Sequence, residues 1–163
     1  MSDGTESAIH RKEKANILEQ LNVIKYAARQ NTDVLILECM ALRPNYQYIC
    51  EHQMVKATHG VITNIRLDHL DVMGPSLDEV AYALCGTIPK NTMLFTSEDR
   101  CFNYMKKIAT KRKTRVFQNL EQSLNKTDIL IATSARFRNK NIKHIQLEDL
   151  KKINYKKKIA FLF

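Results

Sequence analysis

Asn64-Ile65-Arg66-Leu67-Asp68-His69-Leu70-Asp71-Val72-Met73-Gly74-Pro75 follows directly on the apolar run Gly60-Val61-Ile62-Thr63. A second run of the same kind, Val34-Leu35-Ile36-Leu37, leads into Glu38. Short apolar runs bounded by turn residues read as buried strands. In an open α/β sheet, ligands bind in the crevice outside the carboxyl ends of the strands. The two runs therefore bring a carboxylate and an Asn-Asp-His-Asp cluster to one edge, on strands expected to be neighbours. That combination marks a site rather than a core.

Outward from these runs, helical and extended patterns alternate. Ile17, Leu18, Leu21, Ile24 and Ala28 recur at helical spacing, which predicts an amphipathic helix over Glu13 to Arg29. Arg43-Pro44-Asn45 is a turn, and Tyr46 to Lys56 a short helix. Ser76 with Glu79 three residues later is a capping-box pattern opening a helix that runs to Gly86. Met93–Thr96 is a third strand. Ser97 is expected to cap a helix reaching about Ala109, with Glu98 and Asp99 complementing its macrodipole. Arg115–Phe117 and Ile129–Ala132 read as strands, and Leu147–Ile153 as a final helix. This order predicts an α/β fold, a mostly parallel sheet flanked by helices on both faces.

The chain has 163 residues, 44% of them apolar, which suits one packed domain rather than a disordered polymer. No apolar run reaches membrane-spanning length and no signal-peptide pattern opens the chain, so a cytoplasmic protein is expected. Cys39, Cys50, Cys85 and Cys101 form no CxxC pair and read as free thiols in a reducing compartment. The net charge of +9 is uneven. Residues 1–102 carry 10 Lys+Arg against 13 acids, and residues 103–158 carry 16 against four. An excess of this kind fits an anionic partner or simply solvated helix faces. No aromatics are interleaved to form a stacking platform, so no nucleic-acid partner is expected.

The strings Glu38-Cys39-Met40-Ala41, Tyr46-Gln47, Glu51-His52, Gly60 to Asn64, Asp68 to Pro75 and Thr87-Ile88-Pro89 resemble the ATP-dependent ligase subunits of poly-γ-glutamate synthase, capsule B type, in the Mur ligase superfamily. Asn16-Ile17-Leu18-Glu19-Gln20 fits as well, and roughly residues 4–100 carry the resemblance. It implies a partial Mur-ligase central domain of P-loop NTPase-like fold over residues 1–118, followed by a basic segment, residues 119–163. It also implies amide ligation. ATP phosphorylates a carboxylate, the amine of an amino acid attacks the acyl phosphate, and phosphate leaves.

By the same resemblance, Glu38 and His69 would hold Mg2+ at the transferred phosphoryl group. Asn64, Asp68 and His69 would be the catalytic set, and Asn64 and Arg66 would meet the nucleotide. Read from the residues alone, alternatives remain open. Asp68 either orients the imidazole or caps the turn, and Asp71 either serves the site or caps the turn. Asn64 and Arg66 are either ligands or ordinary loop residues. Glutamate and poly-γ-glutamate are the implied substrate and product. Other subunits of a membrane-associated polymer synthase are the implied partners, and membrane association would run through them.

One departure matters. The superfamily cradles ATP phosphates with a GxxGK[ST] loop. Gly4, Gly60, Gly74 and Gly86 are the glycines present, and none precedes Lys-Ser or Lys-Thr. The expectation is a fragment, split-gene product or decayed copy that starts downstream of that loop. The competing function is a non-catalytic assembly module of the polymer synthase.

Overall fold

A computed structural model describes residues 16–118, the isolated Ala8, and the backbone of 158–162. Helix α1 (Leu18–Arg29) precedes strand β1 (Val34–Glu38). Helix α2 (Pro44–Ile49) begins with proline at the first helical position, where no amide donor is needed. It continues as a π-helical segment, Cys50–Val55. Lys56 ends that segment in the left-handed region, donating its N–H to the Glu51 carbonyl at 2.8 Å. Strand β2 (His59–Ile62), the short helix α3 (Leu70–Met73), helix α4 (Leu77–Cys85) and strand β3 (Met93–Thr96) follow. Helix α5 (Phe102–Lys111), strand β4 (Arg115–Gln118) and strand β5 (Lys158–Leu162) complete the described elements.

The sheet is parallel throughout, in the order β1-β5-β2-β3-β4. This corrects one expectation. β1 and β2 are not neighbours, because β5 pairs with both. Glu38 and Val61 are each in register with Leu162, so two strand spacings, roughly 10 Å, separate them. Both strands still end on the same edge.

Two clusters hold the helices to the sheet. Ile62 and Leu94 pack with Val80, Ala81, Cys85, Met105 and Ala109, joining β2 and β3 to α4 and α5. Leu37 packs with Cys50 and Val55, and Val23 and Ile24 of α1 close over it. Among the described residues, these contacts place the helices on one face. The other face carries the stacked rings of His59, Phe95 and Phe117, with centroids 6.2 and 5.2 Å apart.

Several boundaries differ from the sequence reading. α1 starts at Leu18, later than the expected Glu13, because Asn16 and Ile17 form its entry turn, with Asn16 Oδ1 accepting the Leu18 N–H at 3.0 Å; residues 9–15 lie outside the described set. The expected strand Ile129–Ala132 and helix Leu147–Ile153 lie outside it too. The capping box is present, with Ser76 Oγ accepting from Glu79 N–H and Glu79 Oε2 from Ser76 N–H. Ser97 is not the N-cap of α5, which starts at Phe102 after Cys101. Its hydroxyl donates instead to the Thr63 carbonyl at 2.9 Å.

Candidate functional site

Glu38 is the last residue of β1 and is exposed, with its carbonyl accepting from Gln20 Nε2 at 2.8 Å. Thr63 continues β2 toward the same edge, and the chain from Asn64 to His69 is a loop without regular structure. Ile65, only 4% exposed, plugs this loop into the α4–α5 cluster. Arg66, Asp68, His69 and Asp71 are exposed around it, and Asn64 is half-buried.

His69 has φ 47° and ψ 44° at the position before α3. Left-handed backbone is uncommon for a non-glycine residue and gathers at functional sites. The Asp68 carboxylate stabilises that turn. Its Oδ1 accepts the His69 N–H at 2.8 Å and lies 3.8 Å from His69 Nε2. Both readings of Asp68, turn cap and imidazole neighbour, thus describe the same atom. Asp71 lies in the first turn of α3. Among the described residues, Asn64 Nδ2 makes a long 3.5 Å contact to Thr63 Oγ1. Gly74, with φ 123°, ends the motif, and a Cβ there would lie 2.5 Å from Glu79 Cβ. Only glycine lets α3 turn this tightly into the cap of α4.

The sequence reading missed what grips the loop. Glu98 is 4% exposed, and Ile65 N–H donates to its Oε2 at 2.6 Å. The signal was there: Ser97-Glu98 follows an apolar strand, as Glu38 does.

The donor set fits a magnesium ion bound mainly by water and phosphate. Among the described residues no group of three or more His, Cys, Asp and Glu side chains forms a cage. Magnesium keeps several waters and takes few protein ligands. One exposed carboxylate and one exposed imidazole at a sheet edge suit that habit. A cavity of about 440 Å³ lies elsewhere, between α2, α4 and α5, lined by Tyr48, Tyr82, Tyr104 and Arg112. It shares no residue with the strand-end loop.

The parallel α/β architecture agrees with the family to which the sequence matches. The Mur ligase middle domain matches residues 3–162. The chain belongs to the Mur ligase middle-domain family. The match runs across residue 118. The chain is 43% identical over 135 residues to "Capsule biosynthesis protein CapB" of Bacillus anthracis, covering 80% of this chain and 29% of that protein. It is 39% identical over 112 residues to "PGA synthase CapB" of Bacillus subtilis (strain 168), covering 68% and 28%. The chain thus spans less than a third of the length of these curated relatives. No solved structure matches it. No helix among the described residues is long and apolar enough to cross a membrane.

Proposed function

We infer that this Mur-family segment supplies the magnesium-binding edge of an ATP-dependent ligase that joins glutamate into poly-γ-glutamate. The observation that carries the reading is the delivery of Glu38 and the Asn64–Asp71 loop to one edge of a parallel sheet. The printed names of the two relatives support the product class.

In this reading Glu38 and His69 would hold the metal, which would supply charge neutralisation at the phosphoryl group. Asp68 keeps the His69 backbone in its left-handed turn and the ring beside a carboxylate. Asn64 would donate its amide to a phosphate or substrate oxygen, and Arg66 would offer a guanidinium to phosphate or to the glutamate carboxylate. Phosphoryl transfer asks mainly for such positioning and charge neutralisation. The lysines and arginines between residues 119 and 157 belong to the same proposal as positive charge for a polyanionic product. Partner subunits of a membrane-associated synthase belong to it as well.

The experiment is ADP release by a complete, P-loop-bearing ligase carrying this segment, with glutamate and Mg-ATP. Glu38→Ala is expected to abolish magnesium-dependent turnover, and unchanged turnover would refute the reading.

A further inference from the structure

The ends of β2 and β3 are tied together just before the Asp-His loop begins. Ser97 N–H and Ser97 Oγ both donate to the Thr63 carbonyl, at 3.2 and 2.9 Å. Two residues on, Ile65 N–H donates to Glu98 Oε2 at 2.6 Å. Asn64 is therefore held from both sides by consecutive residues of the neighbouring strand end.

The other oxygen of the same carboxylate is committed too. Cys101 N–H, at the start of α5, donates to Glu98 Oε1 at 2.9 Å. The Glu98 backbone is fixed in turn. Its N–H donates to Thr96 Oγ1 at 3.0 Å, and its carbonyl accepts from Gln118 Nε2 at 2.8 Å. The carboxylate is buried, and both its oxygens are met by backbone amides rather than by a cation. A helix start favours negative charge, and charge-assisted bonds of this kind are short and strong.

We propose that Glu98 is a positioning residue: its carboxylate sets the path of the Asn64–His69 loop by bridging Ile65 to the first turn of α5. The importance of that path for turnover rests on the function proposed above, but the bridge itself does not. The chemistry demands a carboxylate. Gln at this position has one acceptor oxygen and would turn its NH2 toward one of two N–H donors. Gln therefore has the right shape and the wrong polarity, and a side chain that merely filled space would tolerate it.

The test begins with amide hydrogen exchange and amide chemical shifts of the full 163-residue chain, comparing wild type, Glu98→Gln and Val55→Ala. Val55 is buried in the separate cluster around Leu37 and serves as the control for general destabilisation. Glu98→Gln is expected to speed exchange at Ile65 and Cys101 by tenfold or more over the rest of the sheet. It should also move the signals of residues 64–69. Val55→Ala should speed exchange broadly and leave the loop signals in place. Where Glu98→Gln does not fold, Glu98→Asp takes its place: its carboxylate is one methylene shorter and cannot span both amides, so the same loop signals should shift. Protection at Ile65 and loop signals equal to wild type in the folded variant would overturn the proposal.

The complete ligase separates this proposal from the functional one. Glu98→Gln is expected to lower kcat at least tenfold with KM for ATP within about twofold. A displaced loop with unchanged kcat would leave the bridge standing and refute the loop's catalytic role.

Discussion

Glu38 and Val61 stand at the same level of the sheet, each in register with Leu162 of the strand between them. The site is therefore spread across a strand rather than shared by two neighbours. The gap is roughly 10 Å between backbones. Ile65 holds the chain beyond β2 toward Glu98 and the α4–α5 cluster, on the side away from β1. In the proposed function a metal ion with its waters would have to span from Glu38 to this loop.

Gly74→Ala is expected to destabilise the chain by roughly 1–3 kcal/mol through backbone strain alone. The added methyl also meets Glu79 Cβ at 2.5 Å, inside the capping box. Urea denaturation measures this, and a variant as stable as wild type would show that the turn relaxes freely.

Ser76→Ala removes the side-chain acceptor for Glu79 N–H. About 1 kcal/mol should be lost, as for other N-caps. Met105→Ala, in the closed α4–α5 cluster, should cost about 2–5 kcal/mol. The same denaturation curves check the ranking, and a larger loss at Ser76 than at Met105 would contradict the packing described.

Stability should depend on pH through Glu51. Its carboxyl is 1% exposed, and burial pushes its pKa up to about 7 against the opposing pull of the Ala57 N–H and Arg112. Between its ordinary value of 4.5 and about 7, the folded chain holds a proton the unfolded chain has released. This contribution is complete below 4.5 and is lost as pH rises toward 7. His52 works in the opposite direction. Burial, then Arg112, lowers it to about 4, so its contribution grows as pH rises from there toward 6.5. Glu51→Gln isolates the first effect. Its stability relative to wild type should rise across the window, by up to ~1.4 kcal/mol per pH unit. A difference that stays constant with pH would contradict the assignment.

The sequence made some of this legible, for physical reasons. β3 and the Ser76–Glu79 cap are local signals, and both stand where the pattern put them. The place of β5 between β1 and β2 was not legible, because strand order depends on long-range pairing. The Ile159–Phe163 run showed only that an apolar segment was there. The π-helical turn at Cys50–Val55 also escaped, since one extra residue per turn barely disturbs an apolar pattern this short. At the site, Glu38 and the loop were visible as strand-end residues. Glu98 was noticed for its charge near a helix start. Its true partner, Ile65, is 33 residues away in the chain.

The 163-residue chain by itself should bind Mg-ATP weakly, since no glycine in it precedes Lys-Ser or Lys-Thr. Charge-assisted bonds to phosphate are worth roughly 1.5–3 kcal/mol each. Without three of them, affinity falls by about three powers of ten or more. Calorimetric titration at physiological salt checks this, and micromolar, salt-resistant binding would reveal another phosphate site.

The proposed function requires Glu38 and His69 to serve one metal ion. Pulsed electron paramagnetic resonance on Mn2+ in the complete ligase with ADP reads those ligands. Nitrogen modulation from an imidazole ligand is expected in the wild type and should vanish in His69→Ala. Glu38→Ala should weaken Mn2+ affinity at least tenfold. Both variants should keep their melting temperature, because both side chains are exposed. Nitrogen modulation that persists in His69→Ala, or Mn2+ affinity unchanged in Glu38→Ala, would contradict the claim.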